Sequence, residues 1–186
     1  MTMQSSIRRQ MLSKRRSLDQ PYIDHYQPLF DVKIQKFSQS YASMAIYSAI
    51  GNEISINSLA HSVNLQKLAL PKITADDQLI FVDYEDPELW QRGRYDILEP
   101  TTEPIQFVPE LFFIPLTAID YIGTRVGMGK GYYDKYLQNL IGQSIFVGVG
   151  WDFQLVDKVL MRQTHDVPMD YFISPSCILD FSKSDD

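Results

Sequence analysis

Between Gly123 and Asp134 the chain reads G-T-R-V-G-M-G-K-G-Y-Y-D. Glycines alternate at Gly127, Gly129 and Gly131. The cations Arg125 and Lys130 stand among them, and Tyr132, Tyr133 and Asp134 follow at once. Glycine lets the backbone turn into the left-handed region and lets a ligand approach its N–H groups. The apolar run Leu111 to Leu116 precedes the string and has strand character. Tyr133, Tyr136, Leu137 and Leu140 follow it at helical spacing. The order strand, glycine loop, helix would bring N–H donors and a positive dipole end to one place. With two cationic side chains added, such a site suits a polyanion, most simply a phosphate chain. A plain flexible turn is the alternative that glycine spacing alone leaves open.

The familiar phosphate loops do not fit the string. The Walker A pattern G-x-x-x-x-G-K-[ST], set on Lys130, needs glycine at 124 and Ser or Thr at 131, where the chain has Thr124 and Gly131. The dinucleotide fingerprint G-x-G-x-x-G, set on Gly127, needs glycine at 132, which is Tyr132. The whole string instead resembles the signature of the 5-formyltetrahydrofolate cyclo-ligase family, the methenyltetrahydrofolate synthetases. Their hallmark is Asp, a short turn, then R-x-G-x-G-K/G-G-Y-Y-D. Asp120 precedes the turn here, and Arg125, Gly127, Gly129, Lys130, Gly131, Tyr132, Tyr133 and Asp134 fill the pattern. Met128 stands where Arg is common, which removes one cation and leaves the loop.

The resemblance implies an enzyme that binds ATP and Mg2+ and cyclises 5-formyltetrahydrofolate to 5,10-methenyltetrahydrofolate, releasing ADP and phosphate. It implies that Arg8, Arg125, Val126, Gly127, Met128, Gly129, Lys130, Gly131, Tyr132 and Tyr133 surround the ATP. Of these, Lys130, Arg125 and Tyr133 take part in the chemistry. Asp134 and Asp166 would hold the magnesium. Glu53, Tyr95 and Tyr133 would receive the folate, with Glu53 taking paired N–H donors of the pterin ring. The family's N-terminal helix carries K-x-x-x-R; Arg8 matches its Arg, and its Lys falls at the uncharged Gln4. Two other functions stay open: a nucleotide- or folate-binding module without turnover, and an ATP-dependent ligase or kinase with another acceptor.

These residues need elements to position them. Arg8 lies in a basic segment, Met1 to Leu18, whose Ile7, Met11 and Leu12 suit an amphipathic helix. A solvated basic face is the plain reading of that segment, and a mitochondrial leader is another. Asp19 is an N-cap candidate with Pro21 in the first turn of a second helix through Ser38. Glu53 follows a buried-strand candidate, Tyr41 to Tyr47; read alone, it is a capping carboxylate for a helix at 56–63. Further strands are expected at 67–71, 78–83, 144–149 and 171–174, with a helix at 157–161. Pro71-Lys72 matches a family Pro-Arg/Lys, although Lys72 also reads as a loop lysine. Tyr95 sits in an aromatic-x-I-x-E/Q-P segment and reads equally as core. His165 adjoins Asp166, but neighbours on an extended segment point apart, which argues against an acid/base pair.

Alternating strands and helices point to a three-layer αβα fold around a mostly parallel, Rossmann-like open sheet. At 186 residues one domain, 1–181 with a frayed tail 182–186, is expected. A net charge of −6 argues against non-specific nucleic-acid binding. One cysteine excludes an internal disulfide and a Cys-based zinc site, and suits a reducing compartment. No run reaches the length of a membrane span. A cytoplasmic monomer acting on small molecules is the resulting expectation.

Overall fold

In the computed structural model, residues 2–61, 65–84, 90–92, 98–99 and 103–182 are described. Two helices open the chain, α1 (Met3–Arg16) and α2 (Gln20–Ser38). Asp19 caps α2 by accepting from the Tyr22 N–H at 3.0 Å, as its sequence position predicts. The strands follow in chain order: β1 (Ser43–Ala45), β2 (Lys67–Ile73), β3 (Leu79–Asp83), β4 (Gln91–Arg92), β5 (Leu98–Glu99), β6 (Leu111–Pro115), β7 (Ala118–Ile119), β8 (Arg125–Val126), β9 (Ile145–Val149), β10 (Tyr171–Ile173) and β11 (Ile178–Asp180). Between β8 and β9 lies α3 (Tyr132–Leu137).

Seven strands form the central sheet in the order β11-β10-β9-β6-β1-β2-β3. The five inner strands are parallel, and each edge strand runs antiparallel to its neighbour. Both faces of a parallel sheet must be covered, so its strands carry apolar side chains on alternate sides. In β6, Leu111 and Phe113 enter one core, where Phe30 and Ile34 of α2 cover the sheet. Phe112 and Ile114 enter the other, where Leu137 and Tyr136 of α3 lie with Val167 and Met169. The expected α/β architecture is thus present, with one face covered mainly by a short helix and extended chain. Helix α1 packs elsewhere: Ile7 and Met11 meet Ala118, Val126 and Leu160 over the small β7–β8 hairpin.

Three sequence expectations need correction. Residues 157–161 are not helical; a 3-10 turn at Asp152–Gln154 comes earlier, and Leu160 is fixed by its N–H to Asp120. Residues 57–61 form a 3-10 turn rather than a regular helix. The strand at 171–173 is not terminal, because the chain turns at 174–177 and returns as β11.

Candidate functional site

The hairpin β7–β8 prepares the glycine loop. Asp120 is buried, with Oδ1 accepting from the Ile122 and Thr124 N–H groups and Oδ2 from the Leu160 N–H. A buried carboxylate satisfied by backbone donors fixes the turn. Gly123 closes it at φ +76°, where a Cβ would lie 2.6 Å from the Met169 carbonyl oxygen. The hallmark Asp is therefore a structural residue. Strand β8 then carries Arg125 inward, and Val126 into the α1 core.

The loop from Gly127 to Gly131 is held from α1. Arg8 Nε donates to the Gly127 carbonyl at 2.8 Å. Gly129 has φ +99°, and a Cβ there would meet the Arg8 guanidinium carbon at 3.4 Å. Gly131 is the N-cap of α3 in the left-handed conformation. With only six residues, α3 contributes less dipole than a full helix, so the loop N–H groups and the cations dominate. Lys130 is exposed on this loop, and Met128 is 54% exposed with Sδ 3.7 Å from Thr117 Oγ1. Tyr132 Oη donates to Asp77 Oδ1, which ties the loop to the turn between β2 and β3. Asp77 lay outside every motif; its left-handed φ of 63° in a non-glycine residue marks it only once the backbone is known.

Arg125 is 5% exposed and pairs through Nη2 with Asp134 Oδ1 at 2.7 Å. Its Nε is buried and, among the described residues, is the only buried side-chain nitrogen or oxygen without a hydrogen-bond partner. Buried donors are normally satisfied, so this nitrogen is an exception within the site. The guanidinium also lies 5.8 Å from the centroid of the Tyr133 ring. Burial pushes the Tyr133 phenol well above its ordinary range; the nearby Glu53 charge adds to this and Arg125 opposes it. Tyr133 is thereby a neutral hydroxyl between Glu53 and Arg125.

Glu53 and Arg15 form a buried pair at 2.9 Å, each side chain 8% exposed. The second Glu53 oxygen accepts from the Ile50 N–H at 3.1 Å. The capping role expected of an isolated Glu53 is not what it does: it folds back on its own turn and meets α1. Burial raises its carboxyl, opposed by the Arg15 charge and by hydrogen bonds from Ile50 and Arg15. Arg15 was legible only as one of several basic residues. Its signal is its place after Ile7 and Met11 on the buried stripe of α1.

The two carboxylates expected to hold magnesium are brought to the same corner. Asp134 Oδ1 accepts from the Val167 N–H at 3.2 Å, which sets the residue after Asp166 against α3. Asp166 Oδ2 accepts from the Gln163 N–H. His165 lies 3.9 Å from Asp166 Oδ1 and is 65% exposed, a surface contact rather than an acid/base pair. Among the described residues no three His, Cys, Asp or Glu side chains gather to hold a metal. Two carboxylates nonetheless suit magnesium, which takes its other ligands from phosphate and water. Both contacts on Asp134 fall on Oδ1. Lys72 lies on strand β2, not in a loop. Tyr95 lies outside the described residues.

Fold and site together define a class: an open, mostly parallel α/β sheet carrying a cationic glycine loop beside a buried carboxylate. A family model described as the 5-formyltetrahydrofolate cyclo-ligase family matches residues 1–175, and the chain belongs to that family of enzymes. It is 28% identical over 176 residues to the 5-formyltetrahydrofolate cyclo-ligase of Mycoplasma pneumoniae, covering 91% of this chain and 97% of that one. It is 31% identical over 136 residues to that of Haemophilus influenzae, covering 68% and 72%. A solved 5,10-methenyltetrahydrofolate synthetase from Mycoplasma pneumoniae superposes with a TM-score of 0.72 at 25% identity, over 94% of this chain and 99% of that one. One from Aquifex aeolicus shares the fold with a TM-score of 0.85 at 24% identity, over 100% and 96%.

Proposed function

We propose that this protein closes 5-formyltetrahydrofolate to 5,10-methenyltetrahydrofolate with cleavage of ATP to ADP and phosphate, with magnesium bound. Family membership supports the folate reaction. The observation that supports the ATP half is the glycine loop itself: Gly129 and Gly131 take left-handed backbone, Lys130 is exposed on it, and Arg8 holds its Gly127 carbonyl. An amide oxygen is a poor leaving group, so closure needs it activated. The formyl oxygen takes the γ-phosphoryl group, N10 of the folate attacks the formyl carbon and loses its proton, and phosphate leaves with that oxygen.

Phosphoryl transfer asks a protein mainly for positioning and charge neutralisation. Lys130, Arg125 and Arg8 neutralise the triphosphate, and the N–H groups of 127–132 approach it. Glu53 accepts N–H donors of the pterin ring, and Tyr133 packs against the reacting folate between Glu53 and Arg125. Asp134 and Asp166 hold the magnesium, which supplies further charge neutralisation when bound. For Tyr95, which lies outside the described residues, a folate-binding role rests on the family resemblance alone. The protein acts as a cytoplasmic monomer on small molecules, a reading supported by its acidic charge and single cysteine. Among the described residues no helix is long and apolar enough to cross a membrane.

The test is to mix the purified protein with 5-formyltetrahydrofolate, with and without MgATP, and follow the near-ultraviolet absorbance of the methenyl product. An ATP-dependent rise supports the reading. A flat trace with ATP bound moves the function to another acceptor or to a module without turnover.

A further inference from the structure

Arg15 stands apart from the other cations of α1. It follows Ile7 and Met11 on the face the helix buries. A guanidinium there is costly unless it is paired and hydrogen-bonded. Its Nη1 donates to Glu53 Oε1, across 38 residues of chain. The turn bearing Glu53 is tied to the same place by other bonds. Asn52 Nδ2 donates to the carbonyls of Arg15 and Leu18, each at 3.1 Å. The Asn52 carbonyl accepts from Trp151 Nε1 at 2.7 Å. The turn is thus hung between the C-terminal end of α1 and the residues just beyond β9, and both Glu53 oxygens are directed by contacts inside that frame.

About two turns earlier on α1, Arg8 holds the Gly127 carbonyl. One rigid helix therefore touches both halves of the site. We propose that Arg15 is a positioning residue for the folate: it fixes the Glu53 carboxylate where the pterin ring is received, while Arg8 fixes the phosphate loop, so that α1 sets the spacing of the two substrates. This rests on reading Glu53 as the pterin acceptor.

The groups facing Glu53 give the inference a pH signature. Arg15 faces it from α1, Tyr47 from beyond β1 and Tyr133 from α3, with Arg125 of β8 behind Tyr133. Of these, the two tyrosines are neutral, each pushed up first by burial. The Arg15 charge is the largest influence opposing the burial that raises the Glu53 carboxyl. Without it the carboxyl rises further, and the ionised form that accepts the pterin N–H groups becomes scarcer toward low pH. In Arg15→Met the KM for 5-formyltetrahydrofolate is therefore expected to climb as pH falls.

The experiment measures KM for 5-formyltetrahydrofolate and for MgATP across pH 6 to 8 in wild type, Arg15→Met, Arg15→Lys and Glu53→Gln. In Arg15→Met the folate KM is expected to rise on the order of tenfold or more, with MgATP KM little changed and the new pH slope present. Arg15→Lys restores the charge and is expected to remove the slope. If Arg15→Met does not fold, Arg15→Gln carries the same comparison, since it keeps a polar donor without the charge. An unchanged folate KM, or equal rises for both substrates without a pH slope, would overturn the inference. Glu53→Gln separates the two failures. If it raises the folate KM and the Arg15 variants do not, only the role of Arg15 falls; if it leaves the folate KM unchanged, the reading of Glu53 falls first.

Discussion

Two arginine–carboxylate pairs flank the site, and they differ in what they leave over. Arg15–Glu53 joins distant parts of the chain at 2.9 Å, and both carboxylate oxygens are engaged. Arg125–Asp134 is local, nine residues apart and 2.7 Å long, and leaves the Arg125 Nε buried without a partner. Distance and burial are similar, so the difference lies in satisfaction. One bond on each Glu53 oxygen fixes the carboxylate and leaves further acceptor sites on it, whereas the Arg125 pair leaves a donor unused. On the proposed reading the first pair holds the folate end in place and the second belongs to the phosphate end.

The contrast can be broken from several directions. The largest effect is expected at the receptive end. Lys130→Ala removes an exposed loop cation without touching the core, and turnover should fall by roughly a hundredfold or more while circular dichroism and melting stay near wild type. Near-normal turnover would remove Lys130 from the chemistry. Gly123→Ala should act on the fold instead. Its Cβ would meet the Met169 carbonyl oxygen at 2.6 Å with φ at +76°, costing about 2–4 kcal/mol in denaturant unfolding. Arg125→Lys keeps the charge but loses the planar fork that fixes the guanidinium on Asp134. KM for MgATP should rise by about tenfold with the folate KM little changed.

The smallest effect sharpens the contrast with a carboxylate that has no guanidinium. Asp170 is held by the Phe146 N–H at 2.7 Å. Its carboxyl is raised above the usual 3.8 by burial first, with Asp180 adding and the Phe146 hydrogen bond opposing. A raised folded value means that its contribution to stability is full below about pH 4 and is lost as pH rises through the raised value. Asp170→Asn keeps an acceptor and loses this dependence. Its melting temperature should match wild type near pH 4 and exceed it by about 1–3 °C at pH 7. A larger gap at pH 4 than at pH 7 would contradict the sign.

Much of this was legible in the sequence. The αβα architecture followed from alternating apolar runs, and the parallel centre of the sheet is as expected. The family resemblance followed from the string at 123–134 because glycine spacing and adjacent cationic side chains are written locally in the sequence. What escaped depends on distant contacts. The pairing of Arg15 with Glu53 spans 38 residues and is visible in sequence only as a cation out of place on an apolar stripe. The hold of Asp120 on Leu160 goes with an irregular, non-helical path at 157–161, against the local helical spacing. The edge strand β11 is short and partly exposed, so it has little apolar signal.

The most direct measurement is a crossed calorimetric titration. Glu53→Gln and Arg125→Lys would each be titrated separately with MgATP and with 5-formyltetrahydrofolate. The account predicts opposite losses: folate binding weakened and MgATP binding kept in Glu53→Gln, and the reverse in Arg125→Lys. Parallel loss of both ligands in either variant would contradict a site divided between a folate-holding pair and a phosphate-receiving one.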